Sequence, residues 1–201
     1  MNFDELVDEF QARGFDYLSD TRAGRYVNQA YKSLCGRAQW PFLLTTTTGT
    51  APLTIADLRA VRSVVDTTTD TTLRWVDRRH LVTAISNDLT ISGNPSYWYQ
   101  NSRTIVSVYP ANTSNTLSVN YLKIPTVLTG VATHIIPEEY EDLIIDGAVI
   151  SAYKNQDDYD KAAALSGFYN EKLREMMDAL RSRNHGSPSY VIQTDAYEMG
   201  G

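Results

Sequence analysis

One cysteine, Cys35, stands in 201 residues, so neither an intrachain disulfide nor a multi-cysteine zinc site is available. Histidine is scarce too: His80, His134 and His185 lie far apart, none in a metal-type spacing with another ligand. Long apolar runs are missing. The longest, Leu143 to Tyr153, is broken by Asp146 and falls short of the ~20 residues of a membrane span. The start, Met1-Asn2-Phe3-Asp4-Glu5, is acidic where a signal peptide is basic, so a soluble protein made in a reducing cytoplasm is expected. Basic residues number 18 against 24 acidic, a net charge of −6, the wrong balance for a protein whose main task is gripping duplex DNA. No phosphate-cradling glycine loop, G-x-S-x-G elbow or paired-carboxylate signature appears. Asp157-Asp158-Tyr159-Asp160 lacks the glycine and distal glutamate of a calcium loop and reads as an acidic helix start. No cofactor, metal or catalytic residue is expected. Phenylalanine is rare at 5 residues, whereas tyrosine reaches 13, and tyrosine suits half-wet contact surfaces.

What is present reads as an α+β chain in three parts. Residues 1–42 and 131–183 are the helical body, residues 43–130 a β-rich insertion, and residues 184–201 an extended arm. Leu6, Val7 and Phe10 share one helical face, with Gly14 as the stop. Asp20-Thr21 caps a second helix striped by Tyr26, Val27, Ala30, Tyr31 and Leu34, ending at Gly36. In the middle part, short strands are expected at 60–65, 72–76, 89–91, 104–109 and 116–122. The last two pair as a hairpin around Pro110 to Asn115, and a short helix lies at 77–85. The threonine runs read as loops or exposed strand edges. Pro137 takes the first position of a C-terminal helix, followed by Glu138 and Glu139 and the stripe Tyr140, Leu143, Ile144, Gly147, Ala148. After an interruption at 155–158 comes a second stripe, Ala162, Ser166, Tyr169, Leu173, Met176, Met177 and Leu180, in a helix ~39 Å long. Tyr26, Tyr31, Leu34, Trp40, Tyr140, Leu143, Ile144, Tyr169, Leu173 and Met176 form the expected helical core. Cys35 reads as a small buried hydrophobe. Tyr97, Trp98 and Tyr99, flanked by Gly93, Pro95 and Asn101, read as a loop-borne contact patch, or else as a strand burying alternate rings.

A series of short motifs now aligns with something familiar. It begins with Arg25-Tyr26-Val27-Asn28-Gln29-Ala30-Tyr31, Cys35 and Trp40-Pro41-Phe42-Leu43. It continues through Leu73-Arg74-Trp75-Val76-Asp77, Gly93-Asn94-Pro95-Ser96-Tyr97-Trp98-Tyr99 and Ile105 to Pro110. Tyr121-Leu122-Lys123-Ile124-Pro125-Thr126-Val127-Leu128-Thr129 and the segment Ile136 to Ala148 complete it. Together, over roughly residues 1–183, these resemble the head-to-tail adaptor proteins of tailed bacteriophages. The resemblance implies a structural virion protein made in the bacterial cytoplasm. It implies a dodecameric ring beneath the portal vertex that continues the DNA channel, with the portal protein, a tail-side connector or tail protein and its own copies as partners. Genomic DNA would pass close by without specific binding, and no membrane is involved. On that reading Tyr97, Trp98 and Tyr99 face a neighbouring subunit or the tail.

The arm from Asn184 onward contains Ser189-Tyr190-Val191-Ile192-Gln193-Thr194, a strand-favouring run odd in a passive linker. Tyr190, Val191, Ile192 and Tyr197 are the expected portal-binding residues, ordered on contact by adding backbone to a sheet edge or lying in a groove. Two other readings stand beside the adaptor: a tail-tubular or stopper ring one position further from the capsid, and a virion-associated cell-wall hydrolase with acidic candidates Asp77, Glu138 and Asp142.

Overall fold

A computed structural model gives the fold for residues 1–85 and 88–184, with side chains described to Leu180. Helix α1, Phe3–Ala12, opens with a capping box: the Asn2 side chain accepts from the Glu5 N–H while the Glu5 carboxylate accepts from the Asn2 N–H. It buries Leu6, Val7 and Phe10. Helix α2, Asp20–Gly36, takes Ser19 rather than Asp20 as its N-cap and buries Val27, Ala30, Tyr31, Leu34 and Cys35. Gly24 leaves room for the Phe3 ring of α1, whose Cζ lies 2.7 Å from where a Cβ would stand.

The C-terminal helix begins later than its sequence suggests. Pro137 precedes a single 3₁₀ turn, Glu138–Tyr140, and the α-helix proper, α4, runs Asp142–Asn155. Helix α5, Tyr159–Asn184, follows after a reversal at Asp157, whose φ is +60°. α4 lies between α2 and α5: a Cβ on Gly147 would meet Ala30 at 3.3 Å and the Tyr169 ring at 3.5 Å. The helical core holds Tyr31, Leu34, Trp40, Leu143, Ile144, Tyr169, Leu173 and Met176 buried, with Tyr26 and Tyr140 half-buried against it.

Between α2 and α4 lies a seven-stranded sheet: β1 Leu44–Thr50, β2 Leu53–Thr54, β3 Leu58–Asp66, β4 Thr71–Trp75, β5 Tyr97–Ser102, β6 Ile105–Tyr109 and β7 Thr116–Lys123. The spatial order is β1-β7-β3-β4-β5-β6-β2, antiparallel throughout except for β4 with β5. The two edge strands, β1 and β2, are separated in sequence only by Ala51-Pro52. So short a link forces the sheet to curl until its edges approach, and Leu53 Cδ1 sits 2.5 Å from the position of a Gly49 Cβ. The result is a nearly closed barrel filled by Leu58, Val64, Leu73, Trp98, Val106, Leu117 and Val119. A small third cluster of Val76, Leu81, Tyr99 and Tyr109 lies on the other side of β5 from the barrel core.

Three local expectations are corrected. β6 and β7 are not a hairpin: β6 pairs with β5 and β2, and β7 with β1 and β3. Pro110 ends the β6 ladder because it has no N–H, and Asn115 donates to the buried Asp66 carboxylate at 2.6 Å, which anchors β7 against the end of β3. Residues 89–91 form no strand, because the Asp88 carboxylate accepts from the Thr90 N–H at 2.8 Å and folds the segment into a turn. Residues 97–99 belong to a strand, not a loop. The short helix expected at 77–85 appears as a turn capped by Asp77, α3, Arg78–His80, that runs into a π turn at Leu81–Ile85. The threonine run at 44–50 is an exposed edge strand.

Candidate docking surfaces

Several buried or partly buried polar groups are held in internal hydrogen bonds, whereas Asn120 Oδ1 and His134 Nδ1 are buried without a partner. Burial alone would push the Asp66 carboxyl up, but hydrogen bonds from Asn115, Thr69 and Thr68 outweigh it and hold the group below its ordinary value. The N-terminal ammonium donates to Glu141 at 2.6 Å and His134 lies at 3.2 Å, which together hold that carboxyl low. Burial pushes the Cys35 thiol up to about 12, the opposite of an activated nucleophile. Among the described residues no group of three His, Cys, Asp or Glu side chains is placed to hold a metal, and no helix is long and apolar enough to cross a membrane.

The hydrolase candidates do not converge. Asp77 is spent on its helix cap, accepting from the N–H groups of Arg79 and His80. Asp142 pairs with Lys172 at 2.9 Å, on α4 and α5, and Glu138 stands in the 3₁₀ turn before α4. The body is instead tied to the barrel by Arg59 of β3, whose guanidinium donates to the carbonyls of Cys35 at 2.8 Å and Gly36 at 3.1 Å. It satisfies the last carbonyls of α2 at the negative end of the helix dipole.

The surface is where unspent chemistry lies. Of the expected contact aromatics, Trp98 is buried in the barrel core and Tyr99 in the third cluster, with Tyr97 half-buried beside it. Of the two readings of 97–99 the strand is the one found, with Trp98 turned to one side of β5 and Tyr97 and Tyr99 to the other, so the loop-borne exposed patch is corrected. The exposed rings are others. Trp75, at the end of β4, is 62% exposed and stands among the exposed Arg74, Arg78, Arg79 and His80. Phe168 on α5 is 74% exposed, opposite the buried stripe and in line with the exposed Glu171, Glu175 and Asp178. Sequence reading passed over both. Phe168 falls out of phase with Ala162, Tyr169 and Leu173, and that misfit is the signal that finds it. A third feature is an open groove on each side of residues 124–129, bordered by Arg25, Lys32, Arg59 and Arg103 around the exposed Val127. The proposed portal-binding residues Tyr190, Val191, Ile192 and Tyr197 lie outside the described residues.

Surfaces of this kind, aromatic and charged, fit a protein that makes contacts with partners. A family model described as SU10 adaptor protein matches residues 1–191, taking in the helical body, the barrel and the start of the arm. No curated protein matches the chain. The chain belongs to the SU10 adaptor protein family, a phage head–tail adaptor family.

Proposed function

We propose that copies of this chain assemble into a dodecameric ring in the virion, between the portal protein and the tail-side connector, and that the ring continues the DNA channel. One observation carries the reading: the adaptor family model extends over residues 1–191, so the match takes in nearly the whole chain rather than a shared fragment. The charge supports it. Each copy carries −6, and a ring of such copies repels DNA phosphates, so that the genome slides past without being held. The exposed aromatic surfaces at Trp75 and Phe168 suit a subunit with neighbours on more than one side.

In this reading the arm, with Tyr190, Val191, Ile192 and Tyr197, grips the portal. Ordering such a segment costs ~1–2 kcal/mol per residue, which its contacts must offset, and repetition around a ring multiplies weak arms into firm attachment. Co-sedimentation of the full chain with purified portal rings tests it. The wild-type chain is expected to pellet with portal. A variant carrying Tyr190→Ala, Ile192→Ala and Tyr197→Ala is expected to keep its melting temperature and lose most of that binding. Failure of the wild-type chain to bind portal contradicts the reading.

A further inference from the structure

The charge of this chain is unevenly placed. Residues 43–130 hold seven basic and five acidic residues, whereas the rest holds eleven and nineteen. A group of bases and a line of acids each lie beside an exposed ring. At the end of β4, Arg74 precedes Trp75 and Arg78 and Arg79 follow three and four residues on, all exposed, and the one acid in that run, Asp77, is occupied by two backbone N–H groups. On α5, Phe168 is followed at steps of three, four and three by Glu171, Glu175 and Asp178, a line ~15 Å long on the side away from the core. Among the described residues none of these three arginines and none of these three acids takes part in an ion pair. Glu171 and Glu175, four apart on the helix, repel one another, while Arg174 stands within helical reach of Glu171 and Asp178 without an ion pair to either.

Within one chain the two surfaces do not meet. α5 packs on α4 in the helical core, β4 lies between β3 and β5 in the barrel, and among the described residues no ion pair joins them. Resting on the ring reading above, we propose that they meet between copies: Trp75, Arg78 and Arg79 of one subunit dock on Phe168, Glu171 and Glu175 of the next. The contact is head-to-tail, one surface on each side, and a contact between two different surfaces is what closes into a ring rather than stopping at a dimer. The chemistry matches on both sides. The two rings supply apolar area at the centre, guanidiniums give paired donors that fit carboxylates, and Trp with Arg is the composition of interface hot spots.

Charge exchange tests this with the full chain, using sedimentation velocity in the presence of portal rings at about 0.1 M salt, where such close pairs still act across the ~10 Å screening length. Arg78→Glu with Arg79→Glu is expected to weaken assembly at least about tenfold, as is Glu171→Arg with Glu175→Arg, since like charges then face each other. All four changes in one chain restore the opposition, and assembly is expected to return to within about threefold of wild type. Trp75→Ala, at an exposed position, keeps the native melting temperature and weakens assembly. Assembly unaffected by either half-exchange, or no rescue in the combined variant despite native melting, overturns the proposal while leaving the ring reading standing. Loss of 30-base-pair duplex retention in Arg78→Glu with Arg79→Glu, with assembly intact, assigns the arginines to phosphate instead and also overturns it. A wild-type chain that never forms a higher species with portal overturns both.

Discussion

Arg59 is exposed, yet it reaches from β3 to the last carbonyls of α2 and joins the barrel to the helical body. Arg59→Ala removes charge-assisted bonds to carbonyls at the helix end, and a loss of about 1–2 kcal/mol in urea unfolding is expected. Asp66 works in the interior. Its carboxylate is fully buried and takes hydrogen bonds from Asn115 at 2.6 Å and from the Thr68 N–H at 2.9 Å. Because the folded pKa lies below the ordinary 3.8, this pair stabilises fully above that value and loses its contribution as pH falls through the depressed one. Asn115→Ala leaves the buried charge short of a donor and is expected to cost about 1–3 kcal/mol at pH 7. The difference from wild type should shrink below about pH 4, as the carboxyl protonates. A penalty that stays constant from pH 7 to pH 3 contradicts this role for Asp66.

The helices and the sheet differ in how far their sequences announce them. The stripes of α2 and α5 repeat at helical spacing, and most of the residues they mark are buried, with Tyr26, Ser166 and Met177 half-buried, because a helix face is set by local geometry. Strand pairing is set by partners distant in sequence. Alternation at 105–109 and 116–122 correctly marks two strands, but nothing local says that β7 pairs with β1 and β3 while β6 joins β5 and β2. Trp98 was ambiguous for the same reason: two adjacent rings, Trp98 and Tyr99, both find cover because the barrel and the third cluster lie on opposite sides of β5. Exposure at Trp75 is equally illegible, since it depends on where the barrel ends, whereas Phe168 is readable from its phase on α5. The contrast between the two tryptophans is measurable. Trp98→Ala opens a cavity in the barrel core and is expected to cost about 3–5 kcal/mol. Trp75→Ala should stay within about 0.5 kcal/mol of wild type. Equal losses in urea unfolding would contradict the placement of the two rings.

At the scale of the molecule, a helical body and a nearly closed barrel each have their own core and are pinned together at Arg59 and through Leu122 of β7, which is buried in the helical core. Such a unit has no need of an inner site. Its unspent groups are on the outside, with cations gathered near the barrel end at Arg74, Arg78 and Arg79 and acids along α5. That polarity suits repetition of one contact around an axis, which is the central claim for this adaptor. The most direct measurement is the mass of the purified full chain in solution, alone and with portal rings, by native mass spectrometry. Portal is expected to bring twelve copies together in one discrete complex. A chain that remains monomeric beside portal, or that binds it in an indefinite range of stoichiometries, would contradict it.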